Sequence, residues 1–306
     1  MIKEVLPLIY TVTFNPAIDY VIHTDKIKLG YVNRLNKEQI FFGGKGINVS
    51  IVLKELGIES KALGFIAGFT GDAIENGIKS MGIETDFVRL KDGFSRINVK
   101  IKSNSETDLN GQGPEISRDE LEELFSKISL IKDGDTLVLA GSIPKSLPSN
   151  IYETILSHLS DKEIKTIVDA GGDLLLNVLK YQPFLIKPNR DELGELFGVT
   201  INDNEDVIKY AKKLKSMGAA NVLVSLAGDG AILLDESGAI YTCRACKGNV
   251  INSVGAGDSM VAGFIAGCSV GGSEYALKLG TASGGATAFS GGLAKKEDII
   301  TLFNTL

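Results

Sequence analysis

The 306-residue chain has no tryptophan, only two histidines, and three cysteines. So few thiols exclude a disulfide framework as the basis of the fold and suit a reducing compartment. Cys243 and Cys246 form a C-x-x-C, but there is no second pair, and His23 and His158 lie far away in the sequence. The surrounding "AIYTCRACKGNV" alternates like a strand, whereas a redox pair usually opens a helix. We therefore assign the pair neither a metal nor a redox role. No Ser/Cys–His constellation for acyl transfer is present either.

Long apolar runs are also missing. None approaches the ~20 residues of a membrane span. The opening "MIKEVLPLIYTVTFNP" lacks the basic, apolar and small-residue regions of a signal peptide and reads as a first strand. The expectation is a cytoplasmic protein with no membrane partner. A formal net charge of −6 argues against general nucleic-acid binding but leaves room for a local basic pocket.

What the chain has is 44% hydrophobic and 23% charged residues, ordinary for a soluble globular protein with a sizeable core. Strand-like stretches ("LIYTVTF", "ALGFIAG", "DTLVLAGS", "KTIVDA", "FLIKPN", "NVLVSL") alternate with helix-like ones ("GINVSIVLKELGI", "DAIENGIKSMGI", "NIYETILSHLSD", "DLLLNVLKY", "EDVIKYAKKLKSMG"). Continuous apolar strands separated by helices predict an α/β fold, a mostly parallel sheet covered on both faces. No repeat or linker divides the chain, so 1–306 reads as one domain. Two segments, roughly 20–42 and 87–113, break the alternation with strands and turns. They predict a small β-sheet serving as a lid, a dimer interface, or both.

Polar or glycine-rich stretches fall at strand ends, where open α/β sheets bind ligands. In "TFNPAIDY", Asp19 suits sugar hydroxyls, and a turn residue explains it as well. In "FFGGKGINVS", Gly43, Gly44 and Gly46 permit close backbone approach, Lys45 suits a phosphate, and Asn48 a hydroxyl. In "LIKPNRDELGELFG", Asn189 and Glu192 have capping-box spacing, and with Lys187 they also suit nucleotide phosphates and their metal. The hairpin signal "VSLAGDGAILL" explains Gly228 and Gly230 without a ligand, while Ser225 could reach a phosphate.

The most informative stretch is "INSVGAGDSMVAGFIAG". Gly255, Ala256 and Gly257 present backbone N–H groups at the head of a helix, suited to charge on a transferred phosphoryl group. Asp258 suits the proton of an attacking hydroxyl, or else it is an N-cap. A cap needs no glycine pair before it, which favours the catalytic reading. Beside a helix N-terminus its pKa is expected to be low, which phosphoryl transfer tolerates.

In order, "NPAID", "GGKGINV", "GSIPKS", "KPNRDE", "SLAGDG" and "VGAGDS" resemble the PfkB, or ribokinase-like, sugar kinases over essentially the whole chain. "SRINVK" and "TDLNGQGPE" are most similar to the branch that phosphorylates fructose 1-phosphate, close to the tagatose 6-phosphate branch. The resemblance implies a three-layer α/β/α fold with a β-sheet lid, ATP and Mg2+ as cofactors, and commonly a homodimer through the lid. It implies Asp258 as base and Gly255–Gly257 as anion hole. It places Asp19, Gly43, Gly44 and Asn48 on the sugar, and Lys45, Arg96, Arg34 and Ser142 on the phosphate that the substrate already carries. Lys187, Asn189, Glu192, Ser225, Gly228 and Gly230 would face ATP and its metal.

The expected activity is phosphoryl transfer from ATP to the 6-hydroxyl of fructose 1-phosphate. The alternatives are a tagatose 6-phosphate kinase and an idle sugar-phosphate sensor. A nicotinamide dehydrogenase is disfavoured by the absence of G-x-G-x-x-G. Two residues depart from the family pattern: Asn252 stands where Asp is common, and Ala227 where the hairpin usually has Gly.

Overall fold

The computed structural model describes residues 7–104 and 106–306. Residues 1–6 of the expected domain, and Ser105 of the second inserted segment, lie outside the described residues. The chain opens with β1 (Ile9–Thr13), β2 (Ala17–His23), β3 (Lys37–Gly43) and α1 (Lys45–Glu55). Next come β4 (Ser60–Ala67), α2 (Gly68–Ser80), β5 (Glu84–Thr85), β6 (Val88–Leu90), β7 (Arg96–Lys102), β8 (Glu106–Asn110) and α3 (Arg118–Ile128). Regular alternation follows in β9 (Thr136–Ala140), α4 (Ile151–His158), β10 (Lys165–Asp169), α5 (Gly172–Val178), β11 (Leu185–Ile186) and α6 (Arg190–Phe197). The chain ends with α7 (Asn204–Ser216), β12 (Asn221–Ser225), β13 (Ala231–Leu234), β14 (Ile240–Cys243), α8 (Ala256–Val270), α9 (Ser273–Ala288) and α10 (Lys296–Phe303).

The large sheet has the order β14-β13-β12-β11-β10-β9-β1-β4-β5, with β6 also on β4. From β12 to β5 the pairings are parallel; β13 is antiparallel to both its neighbours. The predicted hairpin is the β12–β13 pair, and Cys243 ends β14 as its alternation suggested.

The central strands are mostly apolar on both faces because both faces are covered. Leu137 and Leu139 of β9 join the core beneath α3–α7, while Val138 and Ala140 join the core formed with α1, α8 and α9. The period of two thus divides one strand between two layers of helix, giving the expected α/β/α arrangement. Each fully buried Leu or Val contributes roughly 1.5–3 kcal/mol. Helix α8 is buried from Asp258 through Gly267, so it carries small and apolar residues on every side rather than one stripe.

The small sheet has the order β3-β2-β7-β8, with β2 and β7 parallel and the outer pairs antiparallel. Its strands run from Ala17 to Gly43 and from Arg96 to Asn110, so it reaches the glycine turn directly. The β6 part of the second inserted segment belongs with β4 instead.

Candidate active site

The carboxyl ends of the parallel strands meet the inner face of the small sheet. Three neighbouring cavities lie along this line. One of about 380 Å³ is lined by Asp19, Lys45, Asn48, Arg96, Asp169 and Asp258, among others. A second, of about 390 Å³, shares Gly44, Lys45 and Arg96 with it and adds Ser142. The third, of about 1000 Å³, shares Asn189, Ser225 and Gly257 with the first and adds Ala256, Gly228 and Gly230. Lys187, Glu192 and Gly255 also line the first, and Gly43 faces a further cavity of about 510 Å³ together with Asp19 and Asn48.

Arg34 is the predicted residue that the fold does not bring to this line. Strands β2 and β3 pair from Ala17 opposite Gly43 at the cleft to His23 opposite Lys37 at the far end. Arg34 lies in the connection beyond that far end and is exposed.

Asp258 is not the cap of α8. Gly255 occupies that position with φ 82° and no side-chain cap bond, and Asp258 is the third helical residue. The left-handed conformation at Gly255 strongly favours glycine, which explains this residue of the motif. The Ala256 N–H turns back to the Ser253 carbonyl at 3.2 Å. Among the described residues, the N–H groups of Gly255, Gly257 and Asp258 have no acceptor, so these are the donors open to an anion.

The Asp258 carboxylate is 4% exposed and accepts a hydrogen bond from Asn48 Nδ2 at 2.8 Å. Its pKa is pushed up to about 6, by burial first and then by the charge of Asp169. The Asn48 bond, Lys45 and Lys187 oppose this without cancelling it. The expected low pKa is therefore reversed, because removal from water and a second carboxylate outweigh the helix terminus.

That second carboxylate escaped the sequence reading. Asp169 ends β10, is 2% exposed, and accepts from Lys187 Nζ at 3.2 Å and Lys45 Nζ at 3.4 Å. Burial works to raise its pKa, but the two ammonium groups outweigh burial and hold it below the usual range. Burial likewise disfavours the charge on Lys45, and Asp169, Asp258 and Glu192 together hold its pKa above normal. Lys187 sits under the head of α8, where a methyl on Gly257 would come within 3.1 Å of Nζ.

On the small sheet, Arg96 Nε donates to the Asn15 carbonyl at 3.1 Å. Burial lowers its pKa against the opposing charge of Asp19, but a guanidinium stays protonated. Asp19 accepts from Asn98 Nδ2 at 2.8 Å. Asn98 and Lys100 line the first cavity beside Arg96, and neither was singled out in the sequence. They share its face because they stand two and four residues along the same strand.

Asn189 and Glu192 form a complete capping box: each side chain accepts the other's backbone N–H at 2.8 Å. One Glu192 oxygen stays available to a ligand. Ala227, where the family pattern has Gly, lies at φ 49° beside Gly228 on the wall of the largest cavity.

Residues 12–299 match the pfkB family of carbohydrate kinases. The chain is 46% identical over 291 residues to a 1-phosphofructokinase of Bacillus subtilis, covering 95% of each protein. It is 40% identical to a D-tagatose-1-phosphate kinase of Bacillus licheniformis, covering 94% of each. Among solved structures, Escherichia coli phosphofructokinase-2 in complex with substrates and products superimposes with a TM-score of 0.92 at 27% identity, over 98% of this chain and 99% of that one. Glycine turns, parallel-strand ends and small sheet thus stand in a chain that belongs to the pfkB family of carbohydrate kinases.

Proposed function

We propose that the chain transfers the γ-phosphoryl group of ATP to the 6-hydroxyl of fructose 1-phosphate, giving fructose 1,6-bisphosphate. One observation carries the reading. Asp258, buried and with its pKa pushed up to about 6, lines the cation-lined cavity, and the neighbouring Gly257, whose N–H is open, lines both that cavity and the largest one. A base with that pKa is largely ionised at neutral pH, yet can accept a hydroxyl proton as the phosphoryl group leaves ATP.

Lys45, Arg96 and Ser142 hold the phosphate already on the sugar, with Asp19, Gly43, Gly44 and Asn48 around its hydroxyls. The backbone at Gly255–Gly257 faces the phosphoryl in transit, Ala256 contributing as part of the turn. Lys187, Ser225, Gly228 and Gly230 line the way to the nucleotide. The Glu192 oxygen left free by the capping box suits Mg2+ held through its own waters, with Asn189 fixing that side chain. Mg2+, when bound, supplies charge neutralisation on the ATP phosphates.

The small sheet acts as a lid. Its exposed Ile40 and Leu109, with Leu29, Tyr31 and Val32 beyond, suit burial against a second copy, giving a homodimer. Three free thiols suit the cytoplasm.

The second reading is a ketohexose phosphate of the tagatose series. The relative named for tagatose acts by its name on the 1-phosphate, so the phosphate stands at the same end as in fructose 1-phosphate and the two sugars differ at C4. An idle sensor is disfavoured, because it would have no use for an ionisable base beside open N–H donors suited to a phosphoryl group in transit. Steady-state kinetics with ATP and Mg2+ on fructose 1-phosphate, tagatose 1-phosphate, tagatose 6-phosphate, fructose 6-phosphate and the free sugars tests the proposal. The highest kcat/KM is expected for fructose 1-phosphate; best turnover of a free sugar would overturn the phosphate assignment.

A further inference from the structure

We propose that Asn98 is a positioning residue: it fixes the direction in which Asp19 accepts hydrogen bonds from the acceptor sugar, and so sets the preference between ketohexose epimers. The inference rests on the reading of Asp19 as a sugar-binding residue.

Asn98 of β7 lies directly opposite Asp19 of β2 and is 7% exposed. Its amide can face only one way. The Gly111 N–H, a donor, approaches Asn98 Oδ1 at 3.2 Å, which turns Nδ2 toward Asp19 Oδ1 at 2.8 Å. The last torsion of an aspartate is soft and would otherwise let the carboxylate swivel. Here one oxygen is committed, and the position of the other is thereby set.

That other oxygen, Oδ2, faces bare space over Gly43. A methyl group on Gly43 would come within 3.3 Å of it and 3.5 Å of Asn48 Oδ1. Two acceptors of fixed direction therefore meet above a residue without a side chain. Acceptors facing each other repel an anion and suit hydroxyl donors, so this spot takes the sugar ring rather than its phosphate. Fructose 1-phosphate and tagatose 1-phosphate present the same phosphate and differ in configuration at C4. Fixed acceptors read that difference, whereas a free carboxylate would turn to serve either epimer.

The test is calorimetric titration of both ketohexose 1-phosphates into wild type, Asn98→Leu and Asn98→Asp at pH 8 and pH 5.5, with the KM for ATP measured in parallel. Asn98→Leu is expected to weaken binding of the preferred sugar by about 10-fold or more and to narrow the ratio between epimers, with the KM for ATP unchanged. Asn98→Asp keeps an acceptor for Gly111 but sets a second carboxylate against Asp19. It should bind poorly at pH 8 and recover at pH 5.5, as the two carboxylates come to share a proton that restores the donor.

A merely structural asparagine would lower the melting temperature with no such recovery. Unchanged sugar affinity and epimer ratio in folded Asn98→Leu would overturn the proposal, as would pH-independent binding by Asn98→Asp. Should wild type bind a different sugar phosphate best, the substrate reading fails, and the Asn98 variants are compared on that sugar and its epimer.

Discussion

Asn48 donates its side-chain N–H to Asp258 Oδ2 at 2.8 Å, joining residues 210 positions apart in the chain. The helix that follows the first glycine turn thus holds the carboxylate near the head of the helix that follows the second. The sugar side and the phosphoryl side of the site are tied at one hydrogen bond, and the proposed base is the group tied.

Replacing Asp258 by Asn should cut kcat by about 10²- to 10⁴-fold, the ordinary worth of a positioned base, while sugar and ATP binding stay within a few-fold. The same variant should be more stable than wild type at pH 8. A carboxylate whose pKa is raised on folding favours the native state at low pH and loses that contribution as pH rises through about 6. The stabilisation, on the order of 1–3 kcal/mol, should shrink as the pH of the melting experiment is lowered from 8 to 4. Near-wild-type turnover in this variant would remove Asp258 from the role of base.

The kcat/KM of wild type should rise from the acid side with an inflection near pH 6 as Asp258 ionises. Asp169→Asn should move that limb to lower pH. The charge of Asp169 is one of the two causes that raise the Asp258 pKa, and its removal leaves Lys45 and Lys187 unopposed. The variant should also be destabilised by on the order of 3 kcal/mol, because Lys187 would keep a buried charge without its partner. Paired pH–rate profiles and urea titrations measure both effects; an unmoved acid limb would separate Asp169 from Asp258.

Arg96→Lys should raise the KM for the sugar phosphate by about 10-fold or more without changing the KM for ATP, since a point charge replaces a planar fork. Arg34→Ala should leave the KM for the sugar phosphate within about twofold, because residue 34 lies beyond the far end of the β2–β3 pairing. Steady-state kinetics on the two variants side by side distinguishes the clamp from the bystander.

Ala227→Gly should stabilise the protein by up to about 1 kcal/mol. At φ 49° an alanine bears a steric cost of roughly 1–2 kcal/mol that glycine avoids, partly offset by the greater freedom of glycine in the unfolded chain. Chemical denaturation at fixed pH checks the direction. A loss of stability would mean that the methyl group makes contacts that compensate for its backbone.

The parts of the site legible in the sequence are those whose meaning is local. Gly255 is demanded by its own φ, the Asn189–Glu192 box by a spacing of three, and the two-layered core by strands with apolar residues on both faces. Asp169, Asn98 and Lys100 were not legible, because each acquires its role from residues brought near only by the fold. Asp169 ends a strand as many carboxylates do, and only the arrival of Lys45 and Lys187 from two other strand ends makes it the counter-charge of the site. A signal existed in its position at the carboxyl end of a parallel strand, beside the other strand-end residues that were chosen. The direction of the Asp258 pKa failed for the same reason: the helix-terminus rule is local, whereas burial in the cleft beside a second carboxylate is not. The position of Arg34 beyond the far end of the hairpin was not legible either, because charge type can be read from a sequence but distance along a hairpin cannot.

The small sheet supplies Asp19, Arg96, Asn98 and Lys100 to the cavity proposed for the acceptor, while the largest cavity is walled by the large sheet's strand ends and the helices around α8. Under the proposed function the acceptor is held by both sheets, but the contacts from β2 and β7 are its own, because no residue of those strands lines the largest cavity. Substitutions along β2 and β7 can retune which sugar phosphate is accepted while leaving the phosphoryl donor's surroundings intact. Under the proposed function, a duplicated copy of such a chain can acquire a new sugar preference through changes along β2 and β7 alone, so the chemistry can be inherited whole and the substrate exchanged.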